Sequence, residues 1–499
     1  MEPQTPPSLP PRRWWRHWAF KTFGILLTLL ILAIVAFYTI ERALGERAWK
    51  VYEKKALANG VKLRIEDYET PAIADEENYA TAPIFRKLLA SAKERKEFEQ
   101  QFALPAPSRN KLTYADAKPL DLTSWQQTFA EAGLIAHAGI DPAADILRAL
   151  ERMEGPLSEV RLASVRPKCH WPQSWGEGMT INLPYYGGLM SVGKALALRA
   201  RALLASDRPE EALSELRHLI RLEQTLSSEP TLIPGLVRLA IWAQFLDICE
   251  QGLAANKWKP DHEKAIAKIA SEINPLAAWK FSLSSERAFG NRVLDKLVKS
   301  RRGEIAEMMD SLAGRPSVPG MTLWYLMPRG WLRYNQVEYN EFLDLDLEDI
   351  DAVNGRVASG FSRTEALMTQ QSAYPQTRIY HLFTQLLMPV TIQGSHRAFD
   401  AHSRMQALQI LCAIAQYREA HGEVPQSLDV LAPEYLSAIP HDIMDGKPIR
   451  YHRKEDGGCA VWSIGVNRID DGGARGKNTE PRVKAPDWVV ELPPASGMH

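Results

Sequence analysis

The stretch TFGILLTLLILAIVAFYTI, residues Thr22–Ile40, decides the architecture of this chain. It holds 19 residues without a charge, which is long enough to cross a bilayer as one helix. No other part of the 499 residues is as apolar over such a length. The run also lacks the polar face that a surface helix of a soluble protein carries. The sequence therefore predicts a transmembrane helix over residues 22–40, with more than 450 residues on one side of the membrane.

The charges beside this helix predict its orientation. Four basic residues precede it against one acidic residue, whereas the charges that follow it nearly cancel. The positive-inside rule then puts residues 1–21 in the cytoplasm, as a Pro-rich disordered tail, and the chain after Ile40 outside it. We therefore expect a protein of the bacterial inner (plasma) membrane with a periplasmic bulk, in contact with membrane lipid through its N-terminal helix. The preceding basic residues are Arg12, Arg13, Arg16 and Lys21.

Two processed forms of the N-terminus are weaker alternatives. The apolar core of a cleaved signal peptide is usually ~7–15 residues long and ends in a small-x-small site. This run is longer and lacks a good site of that kind. A pilin-type leader is cut after a Gly and leaves a Glu at the fifth position, but Leu29 stands there if Gly24 is that Gly. The sequence thus favours an uncleaved anchor.

The charge balance excludes one class of partner. Lys+Arg and Asp+Glu number 60 each, and without residues 1–40 the chain keeps 56 basic and 59 acidic residues. A body with no basic surplus is not expected to bind nucleic acid. The four cysteines lie far apart and form no CxxC pair, which disfavours a zinc ribbon. Their pairing is left open, although Cys249 and Cys412 lie in apolar helical stretches typical of buried free thiols.

Residues 41–398 are predicted to form a mainly α-helical extracytoplasmic domain. Residues 195–226 predict two amphipathic helices, and because no copy recurs at ~34 residues we expect an ordinary helical hairpin, not a repeat array. Residues 167–186, PKCHWPQSWGEGMTINLPYY, predict a long loop packed by its aromatic side chains. The acidic run Asp344–Asp351 resembles a calcium loop, but Asp349 stands where an EF-hand needs Gly, so we expect a solvated acidic segment.

Residues 399–499 predict a smaller α+β segment. A helix is expected over Phe399–His421, and strands over Ile449–His452 and Cys459–Ile464. Asp456-Gly457-Gly458 is a tight-turn signal between the two strands. A Gly-rich loop, SIGVNRIDDGG, follows the second strand.

This C-terminal order resembles the globular part of type II secretion major pseudopilins. They pass from a long helix through Gly-x-x-Pro to Asp-x-x-Gly-x-Pro, a Tyr-containing strand and Ser-x-Gly, and the corresponding piece here is Asp442-Ile-Met-Asp445-Gly446-Lys447-Pro448. The resemblance implies a calcium loop at Asn467, Asp470 and Asp471; calcium wants six to eight oxygen ligands. In pseudopilins the segment directly continues the membrane helix, whereas here about 360 residues intervene.

A second likeness covers most of the chain. The pieces DEEN at 75–78, MPRGW at 327–331, HDIMDGKPIRYHRKEDGG and SIGVNRIDDGG resemble those of a family of uncharacterised bacterial single-span membrane proteins. This resemblance implies location and architecture and brings no activity with it.

No catalytic motif stands out in the sequence. There is no GxSxG, phosphate loop, GxGxxG or HExxH, and Cys169 beside His170 is a poor thiol–imidazole pair because such bases usually come from elsewhere in the fold. We expect no catalytic residues and no cofactor other than calcium. The predicted function is a non-catalytic binding or assembly module with envelope protein partners. The alternatives are a hydrolase-like enzyme that uses the loop 167–186, and an accessory part of a secretion or pilus machine.

Overall fold

The structure is a computed structural model that describes residues 13–107, 119–136, 138–173, 175, 181, 183–301, 303–304, 325–358, 362–372, 381–476 and 482–494. The chain divides into two compact units. The anchor unit comprises Met1–Val61, Val293–Tyr339 and Tyr374–Thr384. The main unit comprises Lys62–Arg292, Asn340–Ala373 and Gln385–His499.

The first helix, α1 (Arg13–Ala58), carries the predicted span. Its part from Trp18 is long and apolar enough to cross a membrane, and its most apolar window is unburied. The helix ends just before Gly60, whose φ of +74° suits glycine. Residues 13–21 of the predicted disordered tail are helical, and residues 1–12 lie outside the described residues.

Most of the main unit is helical, as predicted. The α-helices that follow α1 in the described part of the chain are α2 (Pro83–Leu89), α3 (Ala92–Gln101), α4 (Thr123–Glu131), α5 (Pro142–Leu150), α6 (Glu154–Ala163), α7 (Tyr185–Ala205), α8 (Pro209–Gln224), α9 (Leu232–Ala254), α10 (Pro260–Glu272), α11 (Pro275–Lys299), α12 (Arg329–Asp349), α13 (Ser362–Ser372) and α14 (Leu382–His421). Helices α7 and α8 form the predicted hairpin, in which Ala200 and Ala212 are fully buried. The apolar α9 is also long enough to span a membrane, but 56% of its most apolar window is buried.

Five short strands form two antiparallel sheets in the described part of the chain. The first pairs β1 (Ile350–Asp351) with β2 (Arg356–Val357), which the sequence did not predict. The second has the order β3-β4-β5, with β3 at Arg450–Arg453, β4 at Cys459–Ser463 and β5 at Trp488–Leu492. The predicted strands match β3 and β4 to within a residue, whereas β5 was not predicted.

The C-terminal segment packs against the helices of the main unit. Arg404 of α14 donates to Glu250 and Asp247 of α9 at 2.8 and 2.6 Å. Arg418 donates to the carbonyl oxygen of Pro493 at 2.9 Å, just after β5. The domain boundary predicted between residues 398 and 399 falls inside α14.

The prediction of a solvated acidic segment at Asp344–Asp351 was wrong for two of its acidic residues. Asp346 and Asp349 are 0% and 4% exposed, because the helical spacing of α12 turns both toward the interior. Thr364 donates to Asp346 at 2.7 Å, and Arg363 pairs with Asp349 at 3.1 Å. Burial raises the pKa of Asp346 to about 7.

The prediction of buried free thiols was confirmed for Cys249 and Cys412. The other two cysteines, Cys169 and Cys459, are free as well, and Cys459 is buried. Burial raises the pKa of both Cys249 and Cys412 well above the usual range, so both remain protonated at neutral pH.

Candidate binding cleft

Two segments that the sequence analysis singled out independently lie side by side. The DEEN segment and the start of the aromatic loop form a short parallel bridge between Asn78 and Lys168. The backbone N–H of Tyr79 donates to the carbonyl oxygen of Lys168 at 2.8 Å, and that of Lys168 donates to Glu77 at 3.2 Å. Residues about 90 positions apart are thereby held in a fixed register.

Two buried or half-buried side chains reinforce this bridge. The amide of Asn78, 4% exposed, donates to the carbonyl oxygen of His170 at 3.0 Å and accepts from its N–H at 2.9 Å. Arg166 donates to the carbonyl oxygens of Asp75 and Asn78 at 2.7 and 2.8 Å. The pattern satisfies backbone groups that neither segment could satisfy alone.

The joined segments form one wall of a cleft of about 720 Å³, which we call the 70/168 cleft. The other wall is the end of α8 and the turn after it. The lining residues are Thr70, Pro71, Ala72, Ile73, Ala74, Glu77, Pro167, Lys168, Cys169, Arg221, Gln224, Ser227 and Ser228. The volume is in the range of small-molecule sites.

Arg221 gives this cleft its charge. At the rim, Lys168 and Glu77 neutralise each other at 2.7 Å. Arg221 donates to the carbonyl oxygen of Arg166 and lies over the ring of Tyr79, 5.6 Å from its centroid. No carboxylate of the described residues forms an ion pair with it. Its remaining N–H groups can therefore bind an anion, for which the planar guanidinium is well suited.

A second depression of about 440 Å³ adjoins the same arginine. Arg221 and Gln224 line both cavities, and the second also contains Arg217, His218 and Arg238. Arg238 is paired with the buried Glu223 at 2.5 Å. The His218 ring contacts the hydroxyl of Ser164 at 3.2 Å, and burial lowers its pKa, which favours the neutral imidazole.

Trp171, two residues after the cleft residue Cys169, belongs to a buried aromatic and acidic layer. Trp171 stacks on Tyr185 with 4.7 Å between ring centroids, and the Tyr185 hydroxyl donates to Glu229 at 2.8 Å. Burial raises the pKa of Glu229 to about 7. Burial likewise raises the pKa of the Cys169 thiol to about 12. Cys169 is therefore protonated at neutral pH and lacks the thiolate that nucleophilic attack requires.

His170 has a different partner from the one that a thiol–imidazole pair needs. Its Nδ1 lies 2.8 Å from the hydroxyl of Thr70. The imidazole thus ties the aromatic loop to residue 70. This contact and the high thiol pKa give the neighbouring Cys169 and His170 a structural role in the cleft wall.

The predicted calcium residues lie in the loop after β4. Asn467 donates to Asp471 at 3.0 Å, so these two side chains are together. Asp470 points elsewhere: its two carboxylate oxygens accept from the indole N–H of Trp462 at 3.1 Å and from Arg450 at 3.3 Å. To bind a cation, the Asp470 oxygens would have to give up these two donors.

A guanidinium occupies the centre of the acidic residues here. Arg450 contacts Asp442, Asp445 and Asp470 at 2.6, 2.5 and 3.3 Å. Over the described part of the chain, no group of three or more His, Cys, Asp or Glu side chains is arranged to hold a metal ion. The calcium site at Asn467, Asp470 and Asp471 stays a prediction from the resemblance.

No protein-family model matches this chain, and comparisons with curated proteins and with solved structures find no significant match. The likeness to pseudopilins and to single-span membrane proteins therefore stays a prediction as well. Sequence reasoning pointed to the 70/168 cleft only through its two loop segments. It missed Arg221, in the last turn of α8, and Glu229, in the connection to α9, because a single charged residue carries no local signal of its partners.

Proposed function

We propose that this protein is a membrane-anchored, non-catalytic binding protein whose body takes a small anionic molecule in the 70/168 cleft. The observation that carries the proposal is the position of Arg221, which faces the cleft without a carboxylate partner among the described residues. Gln224, Ser227 and Ser228 add neutral donors beside it. A carboxylate or a phosphate group is the ligand that this donor set recognises.

The location follows from the anchor. The helix α1 is long and apolar enough to cross a membrane. The basic residues before it favour a cytoplasmic N-terminus and an extracytoplasmic body in the bacterial inner membrane. The cleft would then be open to small molecules of the periplasm.

One observation favours the second candidate, an extracytoplasmic hydrolase. Glu229 is a buried acid with a pKa of about 7, which is the range of a general acid or base, and it accepts a backbone hydrogen bond from Trp171. Against this candidate, the carboxylate of Glu229 already accepts a hydrogen bond from the Tyr185 hydroxyl, and the thiol of Cys169 is protonated. The described cleft residues thus offer binding groups and no activated nucleophile.

The assembly role draws its support from sequence. The order of helix, turn, strands and Gly-rich loop in residues 399–499 resembles the pseudopilin order, and a small antiparallel sheet is present there. Arg418 joins α14 to the chain just after β5, and Arg404 joins α14 to α9, which gives no support for a freely projecting docking module.

The test is ligand-induced stabilisation of the full chain in detergent micelles. The probes are inorganic phosphate, pyrophosphate, succinate and citrate, each in a titration followed by the melting temperature. A probe at a hundredfold excess over its Kd stabilises the folded state by about 2.7 kcal/mol.

We expect Arg221→Ala to abolish the stabilisation and Arg208→Ala to leave it intact. Arg208 is the matched control because it flanks the other end of α8, where it pairs with Glu211 at 2.6 Å. A shift that survives in Arg221→Ala, or the absence of a shift with all four probes, contradicts the proposal. Hydrolysis by the wild type that is lost in Glu229→Gln would establish the second candidate instead.

A further inference from the structure

The segment Tyr325–Trp331 of the anchor unit lies against the end of the predicted membrane span. The hydroxyl of Tyr38 donates to the carbonyl oxygen of Leu326. The rings of Phe37 and Trp331 meet edge to face, 6.4 Å between centroids. Both α1 partners belong to the apolar run that ends at Ile40.

The depth of this contact follows from helix geometry. An α-helix rises about 1.5 Å per residue, so Phe37 and Tyr38 lie roughly 3–4.5 Å inside the end of the span. Side chains in contact with them must lie near the same depth. If α1 crosses a bilayer, Leu326 and Trp331 therefore reach the boundary between head groups and acyl chains.

The chemistry of the segment suits that boundary. Tyr325 and Leu326 are 55% and 58% exposed, which is costly for apolar groups in water and favourable in lipid. Trp331 donates its indole N–H to Glu41 at 3.1 Å, with its ring toward the span. Tyrosine and tryptophan are the residues enriched at this level of a membrane.

The backbone of the segment also has a hydrogen-bond donor within the protein, as an apolar environment requires. A carbonyl group at that depth needs a donor because water is scarce, and the Tyr38 hydroxyl supplies one to Leu326. The helices approach closely at Gly330, where an added Cβ would lie 1.9 Å from the carbonyl oxygen of Glu41. The segment is thus fixed to the anchor and cannot move away from the membrane on its own.

We propose that residues 325–331 are a second membrane contact, which enters the head-group and upper acyl region of the leaflet farther from the N-terminus. The partner is the lipid bilayer itself. The inference rests on the membrane anchoring in the proposed function and is independent of the ligand of the 70/168 cleft.

The experiment uses the full chain reconstituted into liposomes of phosphatidylcholine and phosphatidylglycerol. Nitroxide labels are attached at Leu326→Cys and, in separate samples, at Leu29→Cys and Val353→Cys. Leu29 lies in the middle of the span, and Val353 is a 94% exposed residue of the main unit. Collision with oxygen, which concentrates in lipid, is compared with collision with a water-soluble nickel complex. The unsubstituted chain measures labelling of the native cysteines, and Tyr325→Cys repeats the measurement at the neighbouring side chain.

We expect the labels at residues 326 and 325 to be at least threefold more accessible to oxygen than to nickel, relative to the label at 353. A water-like label at 326 beside a lipid-like label at 29 overturns the inference and leaves the anchor intact. A water-like label at 29 overturns the anchor and the inference together. Spin–spin broadening at 326 with low access to both reagents identifies a second copy of the chain as the occupant, which also overturns it.

Discussion

Asp442 and Arg450 form a buried ion pair, 2.6 Å between Oδ2 and Nη1, that joins the turn before β3 to strand β3 itself. The Asp442 side chain is fully buried, and that of Arg450 is 14% exposed. Asp442 also accepts from the Ser463 hydroxyl at 2.8 Å and from the N–H of Ile464 at 3.0 Å. One carboxylate therefore holds the turn, β3 and the end of β4 together.

Replacing this carboxylate is expected to be costly. In Asp442→Ala two donors near β4 lose their acceptor, while the guanidinium of Arg450 loses its fully buried partner and keeps Asp445 and Asp470. Breaking a buried pair costs about 3–5 kcal/mol when the charge is left unpaired, so we expect a loss of about 2–3 kcal/mol here. Urea unfolding of the full chain measures the loss. The control is Glu97→Ala, whose exposed partner Lys93 lies 3.9 Å away and for which we expect less than about 1 kcal/mol. A loss below about 1 kcal/mol for Asp442→Ala would show that solvent or a neighbouring aspartate replaces the pair.

The parts of the fold with a regular pattern were predictable from the sequence. The α7–α8 hairpin follows from apolar spacing and from Pro209 at the first turn of α8. Strands β3 and β4 follow from the Asp-Gly-Gly turn between them. Strand β5 was missed because five residues from Trp488 carry no turn signal or alternation, and their pairing with β4 is decided by tertiary contact.

The candidate site was predictable only in part, for a physical reason. The unusual composition of the two loop segments drew attention to them in the sequence. Their alignment with each other depends on Asn78, whose side chain donates to the carbonyl oxygen of His170, 92 positions away. The burial of Asp346 could not be predicted because an acidic run normally faces water. Here the helical spacing turns Asp346 toward the interior, and Thr364 donates a hydrogen bond to it.

Glu229 is expected to make stability depend on pH. Burial raises its pKa in the folded protein from 4.5 to about 7, so the folded state binds this proton more tightly than the unfolded chain does. The stability from this group is full below pH 4.5 and is lost as the pH rises through about 7. Relative to Glu229→Gln, the wild type should therefore lose about 2–3 kcal/mol between pH 5 and pH 8.

Urea unfolding of both proteins at several pH values measures this difference. Burial also raises the pKa of other described acids, and because these titrate in both proteins they cancel in the comparison; they are Glu223, Glu263, Glu286, Asp346 and Asp487. Parallel pH profiles for the two proteins would mean that Glu229 is ionised in the folded state at every pH tested.

Cys169 is expected to be unreactive in the folded protein. Its thiol pKa of about 12 leaves almost no thiolate at pH 8, whereas an ordinary cysteine has a pKa of about 8.5. Alkylation by iodoacetamide, followed by mass spectrometry of the Cys169 peptide, should be at least a hundredfold slower than in the same chain unfolded in urea. Rapid alkylation of Cys169 in the folded chain would contradict the buried structural role and revive a thiol nucleophile.

Gly330 is expected to be indispensable for the packing of α1 in the anchor unit. A Cβ at this position would lie 1.9 Å from the carbonyl oxygen of Glu41, and one at Gly45 would lie 2.4 Å from the carbonyl oxygen of Gly330. Both obstacles are backbone atoms, so relief requires the two helices to separate. Overpacking of this kind costs about 1–3 kcal/mol. We expect Gly330→Ala to lower the melting temperature and to speed hydrogen exchange in the first turns of α12.

The matched control for this substitution is Gly24→Ala on the same first helix. Nothing lies within 4 Å of a Cβ at Gly24, so this variant should melt like the wild type or slightly above it, since alanine favours helix. The pair separates a steric effect at the Gly45–Gly330 crossing from a general response of the anchor to added methyl groups. Equal melting temperatures and equal hydrogen exchange in the two variants would mean that α1 and α12 do not cross through these glycines. Faster exchange confined to Gly330→Ala would mean that close backbone contact holds residues 325–331 against the span. A residue bulkier than glycine at position 330 leaves no room for that contact.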